Sequence, residues 1–467
     1  MARAVRLPLW HPMTYEEAKK YLEGFVNYER QPLDAGKRGA MDLSRVRELA
    51  ARLGDPQLKY PTLHIAGTKG KGSACAFAAA ILQAAGLKVG LYTSPHLVSM
   101  RERIAVNGQK ISRESFALLM DLLKPHLEEL RARSEVGRKP TYFEIFTHLA
   151  FLYFQAKQID AAVIEVGLGG RLDATSIVAP DACGITHIGF DHTAILGDTL
   201  DLIAREKAGI LKPDVPCVSA PQHPEAARAL RVVAESRGTP LQFIGPGLHL
   251  AVVPRRPPGE DAPLCGPAAM LQLAPNRQVR ADLALPGKYQ AENWAVAVAL
   301  ADALHLKRRG GPLPDAAIAA GSRNVAWPGR LEEVRRSAAG ARVFLDGAHN
   351  DSSIEAVLSE LAEMLPKRRP LVVLFACAKD KNAAAMFDKV QRHTREVVFT
   401  YSGNQRGKTA ADLAALWKEK TGGTAAACEL KAGLAEAERR AGAQGMVLAT
   451  GSLYLVGALK ELLTPGA

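Results

Sequence analysis

Long uninterrupted apolar runs are missing from this chain, and nothing in it approaches the roughly 20 residues that a membrane-spanning helix requires. Paired cysteines are missing as well. Cys75, Cys183, Cys217, Cys265, Cys377 and Cys428 fall at scattered positions with no C-x-x-C pair. That spacing argues against a structural zinc site and against a disulfide framework, and it fits a reducing cytoplasm. The opening stretch MARAVRLPLWHPMTYEEAKKYLEG has no apolar core and turns acidic at Glu16, so it reads as a cytoplasmic start rather than a leader. Acidic charge is in deficit: 60 Lys and Arg against 48 Asp and Glu leave a formal net charge of +12. The basic residues are spread along the chain, without the concentrated stripe or aromatic platform that nucleic acid needs. Small anions such as nucleotides and polycarboxylates are the expected partners, with no nucleic acid and no membrane.

A chain of 467 residues is too long for one core and is expected to divide. An amphipathic helix over about 14–28 precedes PTLHIAG (61–67), a buried strand that runs into a glycine-rich loop. A helix is expected over 74–86, then strands over 88–94, 160–167 and 181–189 separated by helical stretches. Alternation at this spacing predicts an α/β, doubly wound, mainly parallel sheet of the P-loop type. Residues 239–283 break the rhythm with prolines and read as short strands or a hairpin excursion. KRRGGPLP (307–314) reads as a linker, which divides the chain into domains 1–308 and 309–467, the second a smaller Rossmann-like unit.

The loop Gly67-Thr68-Lys69-Gly70-Lys71-Gly72-Ser73 lacks the usual G-x-x-x-x-G-K-[ST] spacing. A strand–glycine loop–helix unit still presents free N–H groups and a helix dipole to an anion, with Lys71 as the mobile charge and Ser73 as the hydroxyl. Glu165 ends a strand, where a carboxylate faces the ligand crevice and can hold Mg²⁺ or be satisfied by backbone amides. Asp173 sits on the glycine-built loop facing the same crevice. His192 also follows a strand end, as a metal ligand or a capping residue. Lys207 lies where the helix turns apolar. A desolvated lysine has a lowered pKa, and its neutral amine can add CO₂; a surface pair with Glu206 or Asp201 is the alternative. Near the domain junction stand Gln290, Asn293, Arg330, Asp346, His349 and Asn350. An arginine brought from a second domain can clamp phosphates on closure, whereas Asp346 can equally be a turn residue.

Taken together, GTKGKGS (67–73), TSPHL (93–97), ERIAVNG (102–108), TYFE (141–144), EVGLGGRLDAT (165–175), DHTAILG (191–197), REKAGILKP (205–213), LPGKYQAEN (285–293), WPGR (327–330) and LDGAHN (345–350) resemble, in order, the folylpolyglutamate synthase/dihydrofolate synthase family of the Mur-ligase superfamily. The resemblance runs over roughly residues 15–455. It implies an ATP-dependent ligase that joins L-glutamate to dihydropteroate and to tetrahydrofolate and its polyglutamates through an acyl phosphate, and it implies a monomer. Gly70, Lys71, Gly72 and Ser73 would hold the ATP phosphates. Ser94 and Glu165 would bind one Mg²⁺, and Glu165 and His192 a second, oriented by a CO₂-derived carbamate on Lys207. Asn293, Arg330 and Asp346 would contact the nucleotide. Thr141, Tyr142, Phe143 and Glu144, with Leu172, Asp173 and Ala174, would line the pterin site, and His349 would lie near the γ-phosphate or the incoming glutamate. Lys69, Ser176 and Tyr289 depart from the commoner Asn, Asn and His; none of these changes removes a metal ligand or the phosphate lysine.

Overall fold

The computed structural model describes residues 12–29, 42–133, 139–245, 247–255, 262–336, 340–364, 369–403 and 407–463. The first sheet contains β1 (Thr62–Ala66), β2 (Val89–Tyr92), β3 (Ile104–Val106), β4 (Gln109–Lys110), β5 (Ala161–Glu165), β6 (Ala182–Ile185), β7 (Cys217–Ser219) and β8 (Leu241–Phe243). These eight strands lie in the order β4-β3-β2-β5-β1-β6-β7-β8. All pairs from β2 to β8 are parallel, and β3 and β4 add an antiparallel edge. β1 and β5 are buried along their whole length because helices cover both faces. Leu63 and Ile65 point to the face packed by helices Lys71–Ala84 and Tyr289–Arg309, whereas Ala66 points to the opposite face. Alternate residues of one strand thus feed separate cores, as a two-residue period requires.

The excursion forms an antiparallel sheet of β9 (Leu250–Val253), β10 (Ala268–Ala274) and β11 (Arg277–Asp282), strands as the sequence leads one to expect. Residues 256–261 of it lie outside the described residues. The last sheet holds β12 (Glu332–Arg336), β13 (Arg342–Leu345), β14 (Leu371–Phe375), β15 (Val397–Phe399), β16 (Ala426–Ala427) and β17 (Met446–Thr450), in the order β12-β13-β17-β14-β15-β16. Only β12 is antiparallel, so this unit has the Rossmann-like character expected. No helix among the described residues is long and apolar enough to cross a membrane.

Some expected boundaries move. The opening helix runs Tyr15–Glu23, started by the Thr14/Glu17 capping box and stopped at Gly24. The helix expected at 74–86 begins at Lys71, which places Lys71, Gly72 and Ser73 in its first turn. The domain boundary at 308/309 falls inside the first body. Helix Asp315–Asn324 buries Ile318 in the first core, its Ser322 Oγ accepts from Trp294 Nε1 at 2.7 Å, and Gly321 lies against the backbone of Ile81. The chain therefore crosses between the sheets at about residues 325–331, because the Ala-rich face of that helix finds its partner on helix Lys71–Ala84.

Candidate active site

The order of the first sheet reverses beside β1, and the carboxyl ends of β1, β5 and β6 open on one crevice. β1 leads into the glycine loop, β5 ends at Glu165, and β6 leads to Asp191 and His192. Opposite them, β13 and β14 of the last sheet lead to Asp346–His349 and to Lys381. Two sheets thus turn their carboxyl ends toward one another, and the loops between them carry most of the residues singled out above.

The loop is pinned by the amides of Thr68 and Lys69, which donate to His187 O at 2.9 and 3.1 Å. Gly70 caps the helix at φ +87°, and a Cβ there would lie 2.0 Å from Asn293 Oδ1. Asn293 is held in turn by donating to Gln290 Oε1 at 2.9 Å. Gln290 Nε2 is buried without a partner beside it, a donor that a bound nucleotide can satisfy. Lys69 crosses the cleft to hydrogen-bond Ser352 Oγ of the second domain. Burial pushes its pKa down, opposed by Asp351 and Asp191.

Glu165 is buried and accepts from Ser94 N at 3.0 Å. Burial raises its carboxyl pKa, while Lys71, the Ser94 amide and Arg330 pull it back. Lys207 ends helix Leu200–Lys207, only 4% exposed, and donates to Gly67 O at 2.9 Å. Burial first, then the charge of Lys71, pushes its pKa down to about 7. The surface pairing with Glu206 or Asp201 is therefore not formed: Glu206 binds Arg171 and Asp201 binds Arg205. His192 stands at φ +50° with its ring exposed, 3.9 Å from Asp191 Oδ1. Among the described residues no three His, Cys, Asp or Glu side chains converge as a preformed metal cage. The donor set still fits Mg²⁺, which keeps several waters and takes one or two protein ligands plus phosphate oxygens.

From the second domain, His349 Nδ1 contacts Gly347 O at 2.8 Å. A carbonyl only accepts, so Nδ1 carries the proton and Nε2 keeps its lone pair, 4.0 Å from Asp191 Oδ2. Burial and the charge of Lys381 push the ring's pKa down to about 4, which keeps it neutral. Arg330 donates to Gly329 O at 2.8 Å. Asp346 is committed to backbone: its oxygens accept from Leu331 N and Ala348 N, both at 2.8 Å, so it behaves as the turn residue of the simpler reading.

The residues given to the pterin site divide. Thr141 and Glu144 form a capping box, and Glu144 also takes Arg45 in a forked ion pair with contacts of 2.6–3.0 Å. Tyr142 is buried against Phe146 and below the Arg103 guanidinium. Asp173 caps the turn that follows it, accepting from Thr175 N at 3.0 Å and Thr175 Oγ1 at 2.5 Å, and accepts from Leu168 N at 2.8 Å. Ala174 is buried. Only Phe143 and Leu172 keep partly open side chains. A cavity of about 670 Å³ lies at the junction, between Tyr289 and Glu292 on one side and Ala356 and Glu360 on the other, with an apolar wall of Ile244, Leu250 and Val252.

Sequence reasoning missed the pair that joins the domains. Lys381 Nζ donates to Asp191 Oδ1 at 2.9 Å. Burial alone would raise the Asp191 carboxyl, but His192, Lys381 and His349 hold it well below the usual carboxylate range. A charged run after β14, AKDKN, was the available signal.

Comparison with known proteins gives the family. The Mur ligase, glutamate ligase domain model matches residues 329–453, close to where the chain enters the last sheet. The dihydrofolate synthase/folylpolyglutamate synthase of Bacillus subtilis (strain 168) is 35% identical over 457 residues, 96% of this chain and 99% of that one. The chain belongs to the folylpolyglutamate synthase/dihydrofolate synthase family. The structure of Mycobacterium tuberculosis folylpolyglutamate synthase complexed with ADP matches this ligase fold with a TM-score of 0.84 at 28% identity, covering 96% of this chain and 98% of that one. A folylpolyglutamate synthase complexed with AMPPCP and folate matches with a TM-score of 0.77 at 28% identity, covering 97% and 100%. Membership makes this chain an ATP-dependent ligase of glutamate.

Proposed function

We propose that this ligase accepts both dihydropteroate and tetrahydrofolate-type carboxylates and joins L-glutamate to each. The observation that carries the reading is the convergence of the glycine loop, buried Glu165 and Lys207 on one side of the cleft with Arg330 and His349 on the other. The substrate carboxylate attacks the γ-phosphorus of ATP, ADP leaves, and the acyl phosphate forms. The glutamate amine then attacks the acyl carbon, and the tetrahedral intermediate expels phosphate. The loop amides and Lys71 hold the transferring charge, and Arg330 clamps it from the second domain. Nε2 of His349 has a free lone pair to take the proton that the amine loses. Ser94 and Glu165 would hold one Mg²⁺, and Glu165 and His192 a second beside a Lys207 carbamate. When bound, these ions supply charge neutralisation on the phosphates. The mostly apolar junction cavity suits the nucleotide base, and Phe143 and Leu172 offer apolar surface to a pterin ring. Closure of the second domain over the cleft shields the acyl phosphate from water. Six free cysteines, and sheets covered within one chain, support a monomer in the cytoplasm.

The test is phosphate release from ATP with Mg²⁺ and L-glutamate, run separately with each pteridine substrate, and product masses checked. Turnover with both establishes the bifunctional enzyme. Turnover with tetrahydrofolate alone reduces it to a folylpolyglutamate synthase, and silence with both refutes the reading.

A further inference from the structure

The linker that crosses between the domains is attached at both ends. On the first domain Trp327 lies on the opening turn of helix Lys71–Ala84. A Cβ on Gly72 would stand 2.8 Å from Trp327 Cζ2 and 3.3 Å from its Nε1, so the ring rests directly on the backbone that carries Lys71 and Ser73. The ring also packs on the first hydrophobic core. Its Nε1 is buried with no hydrogen-bond partner. An unpaired buried N–H is unfavourable, so shape and area hold this side chain in place, not polarity. On the second domain the linker is fastened by backbone amides and two carboxylates: Gly329 N donates to Glu332 Oε2 at 2.8 Å, Gly347 N to Gly329 O at 3.0 Å, and Leu331 N to Asp346 Oδ2 at 2.8 Å. Between Trp327 and Arg330 stand only Pro328, whose φ is fixed by its ring, and Gly329. The lever is short, and a shift at one end reaches the other.

We propose that Trp327 is a positioning residue that ties the placement of Arg330 to the conformation of the phosphate loop. The loop turn and the clamping guanidinium then move as one unit, so that ordering of the loop around phosphate also sets the arginine. This rests on the reading of Arg330 as the phosphate clamp, and the experiment separates the two. Steady-state kcat and KM for ATP are measured on full-length wild type, W327A, W327F, R330A and W327A/R330A, with thermal midpoints alongside. W327A is expected to lower kcat/KM for ATP by roughly tenfold, and W327F, which keeps a ring and removes the orphan N–H, to stay within about threefold of wild type. In the R330A background W327A is expected to add almost nothing, because residues that act through one another are non-additive. Independent, multiplicative losses in the double variant would overturn the coupling, as would a W327A enzyme with a lowered midpoint and unchanged kcat/KM for ATP. R330A with wild-type kinetics would overturn the clamp and the coupling together. If W327A does not fold, W327L carries the same cycle.

Discussion

Two glycines with nearly the same backbone angle separate strain from contact. Gly70 has φ +87° and Gly86 has φ +85°, at opposite ends of helix Lys71–Ala84. An L-residue in that left-handed region costs about 1–2 kcal/mol at either position. At Gly86 an added Cβ meets nothing within 4 Å, so the cost ends there. At Gly70 it would stand 2.0 Å from Asn293 Oδ1 and 2.8 Å from Asn293 Cγ. Asn293 is 7% exposed and bonded to Gln290, so it must give up that bond to make room, a further loss of about 1 kcal/mol. G86A should therefore lower the thermal midpoint by about 1–2 °C and leave nucleotide binding unchanged. G70A should lose more stability, roughly 2–3 kcal/mol in all, and bind a non-hydrolysable ATP analogue at least about tenfold more weakly. Differential scanning calorimetry and isothermal titration read both quantities. Equal binding by G70A and wild type, or equal loss by the two variants, would refute the claim that Asn293 occupies the space glycine leaves.

Lys207, with its pKa pushed down to about 7, should take up ¹³C-bicarbonate as a carbamate whose NMR signal rises with pH through about 7 rather than above 10, and K207A should show none. A signal that survives in K207A would assign the carbamate elsewhere. E144Q should destabilise the protein by roughly 1–3 kcal/mol by removing the Glu144 charge from a largely buried ion pair with Arg45, while KM for the pterin substrate changes less than about twofold. A large KM change at normal stability would return Glu144 to the substrate site. Removal of Mg²⁺ with EDTA should abolish phosphate release and leave the midpoint of the nucleotide-free protein unmoved, since the described residues form no metal cage that the fold depends on; a falling midpoint would reveal a structural metal.

What the chain determines by itself is local. The strand entering the glycine loop, Glu165 at a strand end and Lys207 where a helix turns apolar are all set by neighbours a few residues apart, and all of them were legible. The family motifs extended that reading to the second domain. What only the tertiary structure decided is which charge each buried group meets. The family resemblance gives Glu144 to the pterin site and Asp346 to the nucleotide, yet Arg45 pairs with one and two backbone amides take the other. Asp191 meets Lys381 across 190 positions of sequence, and helix Asp315–Asn324 joins the first core instead of the second because its small residues fit Ile81. Backbone dihedrals and side-chain periodicity are properties of adjacent residues. Desolvation and the pairing that offsets it depend on distant segments brought together by folding, so no local pattern encodes them.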